Sequence, residues 1–465
     1  MTDQAGEDRG STLIRGGRLV IGDNVARTDL LIRGEEIAAI GNLSETGADR
    51  VVDASELLVL PGGVDTHVHF NDVFMGTVSV HDYESGTRAA AYGGTTTVVD
   101  FSNQIPDGSL MKTVEDKHRE AEGKALVDFG VHPVITRPDQ ETLAEIDAVV
   151  EAGAPTVKCY MTYRDDGLLI EDEDLVRIAR RLGEAGGMLM LHAEDNDAIE
   201  ANVPRLLEEG KTAPIFHARS KPPEVETEAI RRLIDMARQT DAPFFIVHLA
   251  SPGGLALLTD AMEEGVNIRA ETCTHYLIFT EEVLEREDGI KWICSPPLRD
   301  AAAREALWEG VVDGRIRQVT SDDAAYSWEA KLMGEDRFDL CPNGIPGIEA
   351  RYPILYSEGV ARGRISLPRF VELVASEPAR LFGMAPRKGS LRVGADADIV
   401  LLDPRARWTM GPDTLHMATD WAAYEGIELR GKIRKVFSRG DLVIDGEECL
   451  ATPGRGRYVH RRLHG

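Results

Sequence analysis

A chain of 465 residues is too long for one small domain and fits a barrel of roughly 250 residues or more with a smaller partner. Hydrophobic residues at 43% and charged residues at 28% describe an ordinary globular protein with ample core. A formal net charge of -27 repels nucleic acid and anionic membrane surfaces, which argues against DNA or RNA binding.

The first residues, MTDQAGEDRG, lack the basic stretch and apolar run of a signal peptide. No segment is apolar for long enough to span a bilayer. Cys159, Cys273, Cys294, Cys341 and Cys449 are scattered and form no C-x-x-C pair. Reduced thiols in a cytoplasm are therefore expected.

In chain order, short apolar runs at 12–14, 17–21, 28–33 and 36–41 are broken by Gly, Asp and Asn, which predicts strands. The same style returns at 390–393, 398–402, 433–438 and 441–444. One small β-sandwich domain assembled from residues 1–57 and 386–465 is expected. Residues 58–385 instead alternate apolar strands with amphipathic helices, the pattern of a parallel α/β fold. The strands are predicted at 58–67, 95–101, 127–135, 156–161, 188–192, 244–248, 267–272 and 316–320. Helices are predicted at 85–91, 143–152, 173–185, 226–239 and 255–264. Eight such units predict a closed (β/α)8 TIM barrel.

The first strand ends in Gly62-Gly63-Val64-Asp65-Thr66-His67-Val68-His69. Alternation along a strand sends His67 and His69 to one side, where both imidazoles reach one metal. His192 closes strand five, His248 closes strand six and Asp322 closes strand eight. A lone histidine at such a place is most often a structural hydrogen-bonding residue. Several polar residues on different strand ends gather at the catalytic face of a barrel and are hard to explain as packing. Lys158 sits in the apolar strand Thr156-Val157-Lys158-Cys159-Tyr160, where an inward lysine must snorkel, pair or lose its charge. Reaction with carbon dioxide would turn it into an anionic carbamate able to bridge two cations.

Together these residues resemble the cyclic amidohydrolases: dihydropyrimidinases, hydantoinases, allantoinases and dihydroorotases. The resemblance covers nearly the whole chain. It implies two divalent metals held by His67, His69, the carboxylated Lys158, His192, His248 and Asp322. Zinc is the expected ion, and manganese, cobalt or iron suit the same ligands. Phe74-Met75-Gly76-Thr77, Tyr163, Ser295-Pro296-Pro297-Leu298-Arg299, Asn343-Gly344-Ile345-Pro346-Gly347 and Gly389-Ser390-Leu391 are similar to the dihydropyrimidinase and hydantoinase branch. That similarity implies substrate contacts from Tyr163, Ser295 and Asn343. It also implies hydroxide attack on a ring carbonyl, with Tyr163 steadying the oxyanion. Asp322 would carry the proton to the departing nitrogen, giving an N-carbamoyl amino acid. Loops 71–76 and 162–169 are expected to border the pocket for the ring substituent. Relatives imply a homotetramer, with the Arg-rich tail 454–462 resembling tails that pack on a neighbouring subunit.

Two features depart from the branch. Asp323 stands where His or Asn usually follows the metal Asp, placing an extra carboxylate beside the site with a bearing on proton transfer or substrate. His67-Val68-His69-Phe70 and Glu271-Thr272-Cys273-Thr274-His275-Tyr276 echo allantoinases and dihydroorotases, without the Pro-Gly that usually follows the first motif there. An allantoinase, or a hydrolase of another cyclic ureide or imide, is the alternative. Scaffold relatives keep the fold but lose metal ligands, whereas all six positions are filled here.

Overall fold

The computed structural model describes residues 10–105 and 108–463. Eight parallel strands lie in chain order: β1 (Gly63–Val68), β2 (Thr95–Asn103), β3 (Asp128–Val134), β4 (Thr156–Tyr160), β5 (Met188–His192), β6 (Phe244–Ile246), β7 (Ile268–Cys273) and β8 (Gln318–Thr320). The ring closes where β8 meets β1. Val68 bridges to Asp323, the His69 N–H donates to the Asp323 carbonyl at 2.9 Å, and Gln318 Nε2 donates to Thr66 Oγ1 at 2.8 Å. The strands are buried on both faces, and Thr-Thr-Thr-Val-Val in β2 shows the β-branched run that such strands favour. The five predicted helices all form, with ends within a few residues of expectation. The helix Asp172–Ala185 is typical. Leu175, Ile178, Ala179 and Leu182 make its buried stripe, three acids open it, and Gly186 ends it at φ +75°.

A second, nine-stranded and mostly antiparallel sheet is built from both chain ends. Its N-terminal strands are Ser11–Ile21, Asn24–Arg33, Glu36–Gly41, Arg50–Asp53 and Leu58–Pro61. Its C-terminal strands are Ile399–Thr409, Glu428–Ser438, Asp441–Asp445 and Glu448–Cys449. The two halves share one apolar cluster, including Ile14, Leu19, Ile32, Val59, Ile399, Leu401 and Phe437. The sheet curls on itself, so that the Ile37 N–H reaches the Ala395 carbonyl and the Gly394 N–H reaches Ile37, each at 2.9 Å.

Two expectations are corrected. The stretch 58–67 is two strands. Leu58–Pro61 pairs with Ile399–Thr409 in the terminal sheet, and only Gly63–Val68 enters the barrel. The break falls at Gly62, where a Cβ would lie 2.2 Å from Thr96 Oγ1, so only glycine lets the chain cross between sheets here. Residues 390–393 form a loop between Gly389 and Gly394, both at positive φ, and contribute only Leu391 to the core. The tail 454–462, which resembles tails that pack on a neighbouring subunit, runs along its own barrel within this chain. The Val459 N–H donates to the Phe129 carbonyl (2.7 Å), the Phe129 N–H donates to the Arg457 carbonyl (3.0 Å), and the buried Arg461 guanidinium donates to Thr156 Oγ1 (2.8 Å) and the Val131 carbonyl (2.5 Å). Phe129 and Thr156 begin their strands, so the tail stops the barrel at the end opposite the catalytic face.

Candidate metal centre

The C-terminal ends of the barrel strands gather the predicted ligands. The His67 ring lies 5.3 Å from the His69 ring and 5.5 Å from that of His248, which lies 4.5 Å from His192. Donor atoms of His67, His69 and Asp322 fall within 4.8 Å of one another. Lys158 points into the same cavity from β4, its Nζ 4.5 Å from the Phe101 ring centre and 4.8 Å from that of Tyr160. Phe101 stacks on His69 at 5.0 Å and forms the apolar floor.

These groups suit divalent cations. His67 Nε2 lies 2.9 Å from Asp322 Oδ1 yet makes no hydrogen bond of proper geometry, and buried His248 Nδ1 has no partner among the described residues either. Two donors aimed at one point without bonding each other are placed as co-ligands are. Burial pushes Lys158 down to about 8, within reach of its neutral amine form just above neutral pH, and holds His248 well below the usual imidazole value, which keeps that ring neutral. Against burial, hydrogen bonds from His69 to the Asp322 and Asp72 carboxylates raise its pKa to about 9, so the carboxylates of this site call for positive charge.

A ring of carboxylates that the sequence reading missed orients the histidines. His67 Nδ1 donates to Glu271 Oε1 at 2.5 Å, His69 Nδ1 to Asp72 Oδ2 at 3.0 Å, and His192 Nε2 to Glu194 Oε2 at 2.7 Å. Such partners fix the ring tautomer and raise ligand basicity. The signal was present: Glu194 and Asp72 follow their histidines closely in sequence, and Glu271 is the one acid of β7.

Tyr163, Ser295 and Asn343 line the cavity beside the histidines. Asn343 Nδ2 donates to the Tyr163 hydroxyl at 3.1 Å, and the Tyr163 ring meets Phe74 edge-on at 4.9 Å. Lys221, also missed in sequence, donates from Nζ to Ser295 Oγ and lies 3.3 Å from Glu194 Oε2. Against burial, Lys221 and His192 hold the Glu194 carboxyl far below the usual carboxylate range. Asp72, Phe74, Tyr163 and Leu168 bring both predicted loops to the cavity wall.

Residues 58–443 match the amidohydrolase family. The chain belongs to this family. It is 38% identical to a D-hydantoinase of Geobacillus stearothermophilus over 97% of each chain. It is 39% identical to a D-phenylhydantoinase of Escherichia coli O1:K1 / APEC over 97% of this chain and 98% of that one. The crystal structure of a dihydropyrimidinase from Brevibacillus agri NCHU1002 superposes with a TM-score of 0.96 at 38% identity, covering 98% of this chain and 99% of that one.

In this amidohydrolase, Asp323 does not stand in the cavity, which corrects its expected bearing on proton transfer. It is fully buried and turned outward. Its Oδ2 accepts from His81 Nδ1 at 2.7 Å, and its Oδ1 accepts from the backbone N–H groups of Gly347 (2.7 Å) and Ile348 (3.0 Å). The Ala418 N–H donates to His81 Nε2, so the imidazole bound to Asp323 is the neutral Nδ1–H tautomer. Asp323 is thus a post that fixes the loop after Asn343 against the barrel. Strain collects where the chemistry would be: Tyr163, His248 and Asp322 all take left-handed backbone at φ +65°, +41° and +48°.

Proposed function

We propose that this amidohydrolase opens the ring of hydantoins or dihydropyrimidines to N-carbamoyl amino acids. The observation that carries the reading is the joining, in one cavity, of the histidine, lysine and aspartate set with the Tyr163–Asn343 pair. The likeness to hydantoinases along the full chain supports it.

His67, His69, Lys158, His192, His248 and Asp322 would hold two divalent ions, zinc by preference, with Lys158 as the carbamate formed from carbon dioxide. Bound there, the ions supply Lewis acidity and ready deprotonation of water at neutral pH. The residues of the chain do the rest. Burial, then the nearby Glu194 charge, keeps the Tyr163 hydroxyl protonated. Its oxygen accepts from Asn343, so its own proton is free to meet the carbonyl oxygen of the substrate as charge develops there. Against burial, His67 and His69 keep Asp322 ionised far below the usual range, ready to take a proton from water. Asp322 returns that proton to the ring nitrogen as its bond to the carbonyl carbon breaks. Lys221 orients Ser295, whose backbone meets the ring amide. Phe74 and Leu168 form part of the apolar wall toward the substituent.

No helix among the described residues is long and apolar enough to cross a membrane, and the five cysteines are free. We place the enzyme in the cytoplasm as a homotetramer acting on a small cyclic amide. The test is a side-by-side measurement of initial rates on dihydrouracil, hydantoin, 5-phenylhydantoin and allantoin with zinc supplied. Turnover of any of the first three with allantoin inert is expected. Turnover of allantoin alone would move the chain to the allantoinase branch.

A further inference from the structure

A second set of metal-ligating side chains converges on Asp322 from β7. Cys273 closes that strand, and His275 follows in the short helix Thr274–Ile278. The Cys273 sulfur, a ring nitrogen of His275 and a carboxylate oxygen of Asp322 lie within 4.8 Å of one another. Both new residues are closed to solvent, at 0% and 1% exposure. Neither ring nitrogen of His275 has a hydrogen-bond partner among the described residues. A buried imidazole with both nitrogens unsatisfied is costly, and native structures rarely keep one without a ligand or water to meet it. The thiol is held only by a 3.5 Å contact with Thr320 Oγ1. Its neighbours therefore leave the sulfur lone pairs free to face Asp322.

We propose that Cys273, His275 and Asp322 form a separate site for one thiophilic divalent cation, of the zinc or cadmium class. Sulfur, imidazole and one carboxylate are the donor set such ions select, and a hard ion such as magnesium finds too few oxygens here. Binding exchanges the thiol proton for the metal: the S–H bond breaks, the S–metal bond forms, and the proton leaves to solvent. Among the proposed ligands of the main centre only Asp322 is shared. Filling this site draws the Asp322 carboxylate toward β7 and away from its proton-transfer role. Excess thiophilic metal is then an inhibitor, and the device is built from residues next to the centre rather than in it.

The test titrates the zinc-loaded enzyme with cadmium, reading bound metal, the sulfur-to-cadmium charge-transfer absorption and activity together. One further cadmium per chain is expected, with the absorption and the loss of activity rising in step. Cys273→Ser should abolish the absorption. His275→Gln should weaken cadmium binding by about tenfold or more, the scale on which lost metal contacts act. Both variants should keep the zinc content of the wild type and resist inhibition. An absent absorption in the wild type, or one that persists in Cys273→Ser, overturns the proposal, since another thiol would then be its source. Should Cys273→Ser fail to fold, unchanged cadmium affinity in His275→Gln overturns it equally. A Cys273-dependent absorption in a protein that takes no zinc would sink the binuclear reading and support this site.

Discussion

Tyr163→Phe isolates one hydroxyl. The phenylalanine ring keeps the edge contact with Phe74 and the position under Lys221 Nζ, which lies 5.3 Å from the ring centre. The left-handed backbone at φ +65° strains either residue equally. Only the hydroxyl is lost, and with it the proton offered to the oxyanion. Loss of one such donor costs about 3–4 kcal/mol of transition-state stabilisation, or roughly a hundred- to thousandfold in kcat. Asn343 Nδ2 loses its acceptor as well, which costs stability by about 1–3 kcal/mol. KM should change much less than kcat, because the interaction strengthens as charge develops. The assay is full saturation kinetics on hydantoin and dihydrouracil, hydantoin first, with metal content measured on the same preparation. A kcat within about threefold of wild type at unchanged metal content, under 1 kcal/mol, would refute the role given to Tyr163.

Lys158→Ala should lower metal content and activity together; wild-type metal content in that variant defeats the bridging reading. Carbamate formation needs the neutral amine, and the Lys158 amine loses its proton as pH rises through about 8. Reactivation of metal-free enzyme by zinc at fixed dissolved carbon dioxide should therefore quicken about tenfold per pH unit below that point and level off above it. A flat profile speaks against Lys158 as the reacting group. Glu271→Gln should weaken metal binding by about 10–100-fold, read by competition with a chelator, since His67 loses its charged partner. Arg461→Ala should destabilise the fold by about 2–4 kcal/mol in thermal unfolding while leaving KM unchanged, because it unpairs Thr156 and Val131 at the far end of the barrel; unaltered unfolding would remove the tail from the structural core.

The barrel was legible because its strands are apolar runs ending in polar residues, a pattern set by burial of both sheet faces. The gathering of the candidate ligands in one cavity was legible for the same reason: His192, His248 and Asp322 interrupt apolar stretches at strand ends. What escaped lies in contacts between residues distant in sequence. Lys221 meets Ser295, and Glu271 meets His67, only once the barrel closes. The division of 58–67 was hidden because Leu58–Pro61 and Gly63–Val68 are equally apolar, and only the partner strand decides which sheet each joins. Asp323 was misplaced because alternation beyond a strand end is unreliable; Asp322 itself takes left-handed backbone, and its neighbour turns outward.

The fixed charges of the barrel are sorted along its axis, and the sorting explains why cations belong at one end. Arg461 lies fully buried at the strand starts, and burial pushes it down only to about 10, so it remains a cation there. Arg351, also fully buried, pairs with Asp65 at 3.2 Å and donates to the carbonyls of Val64 and Val319. Burial and then the Arg461 charge keep His132, midway along β3, in its neutral form. Above it the acids take over: Glu271, Glu194, Asp72 and Asp322 each face a histidine of the mouth. The acids at the strand ends thus favour a cation there, in a low-dielectric interior where such attraction acts over several ångströms. The charges of the floor are instead engaged with buried carboxylates and backbone carbonyls, where they serve stability.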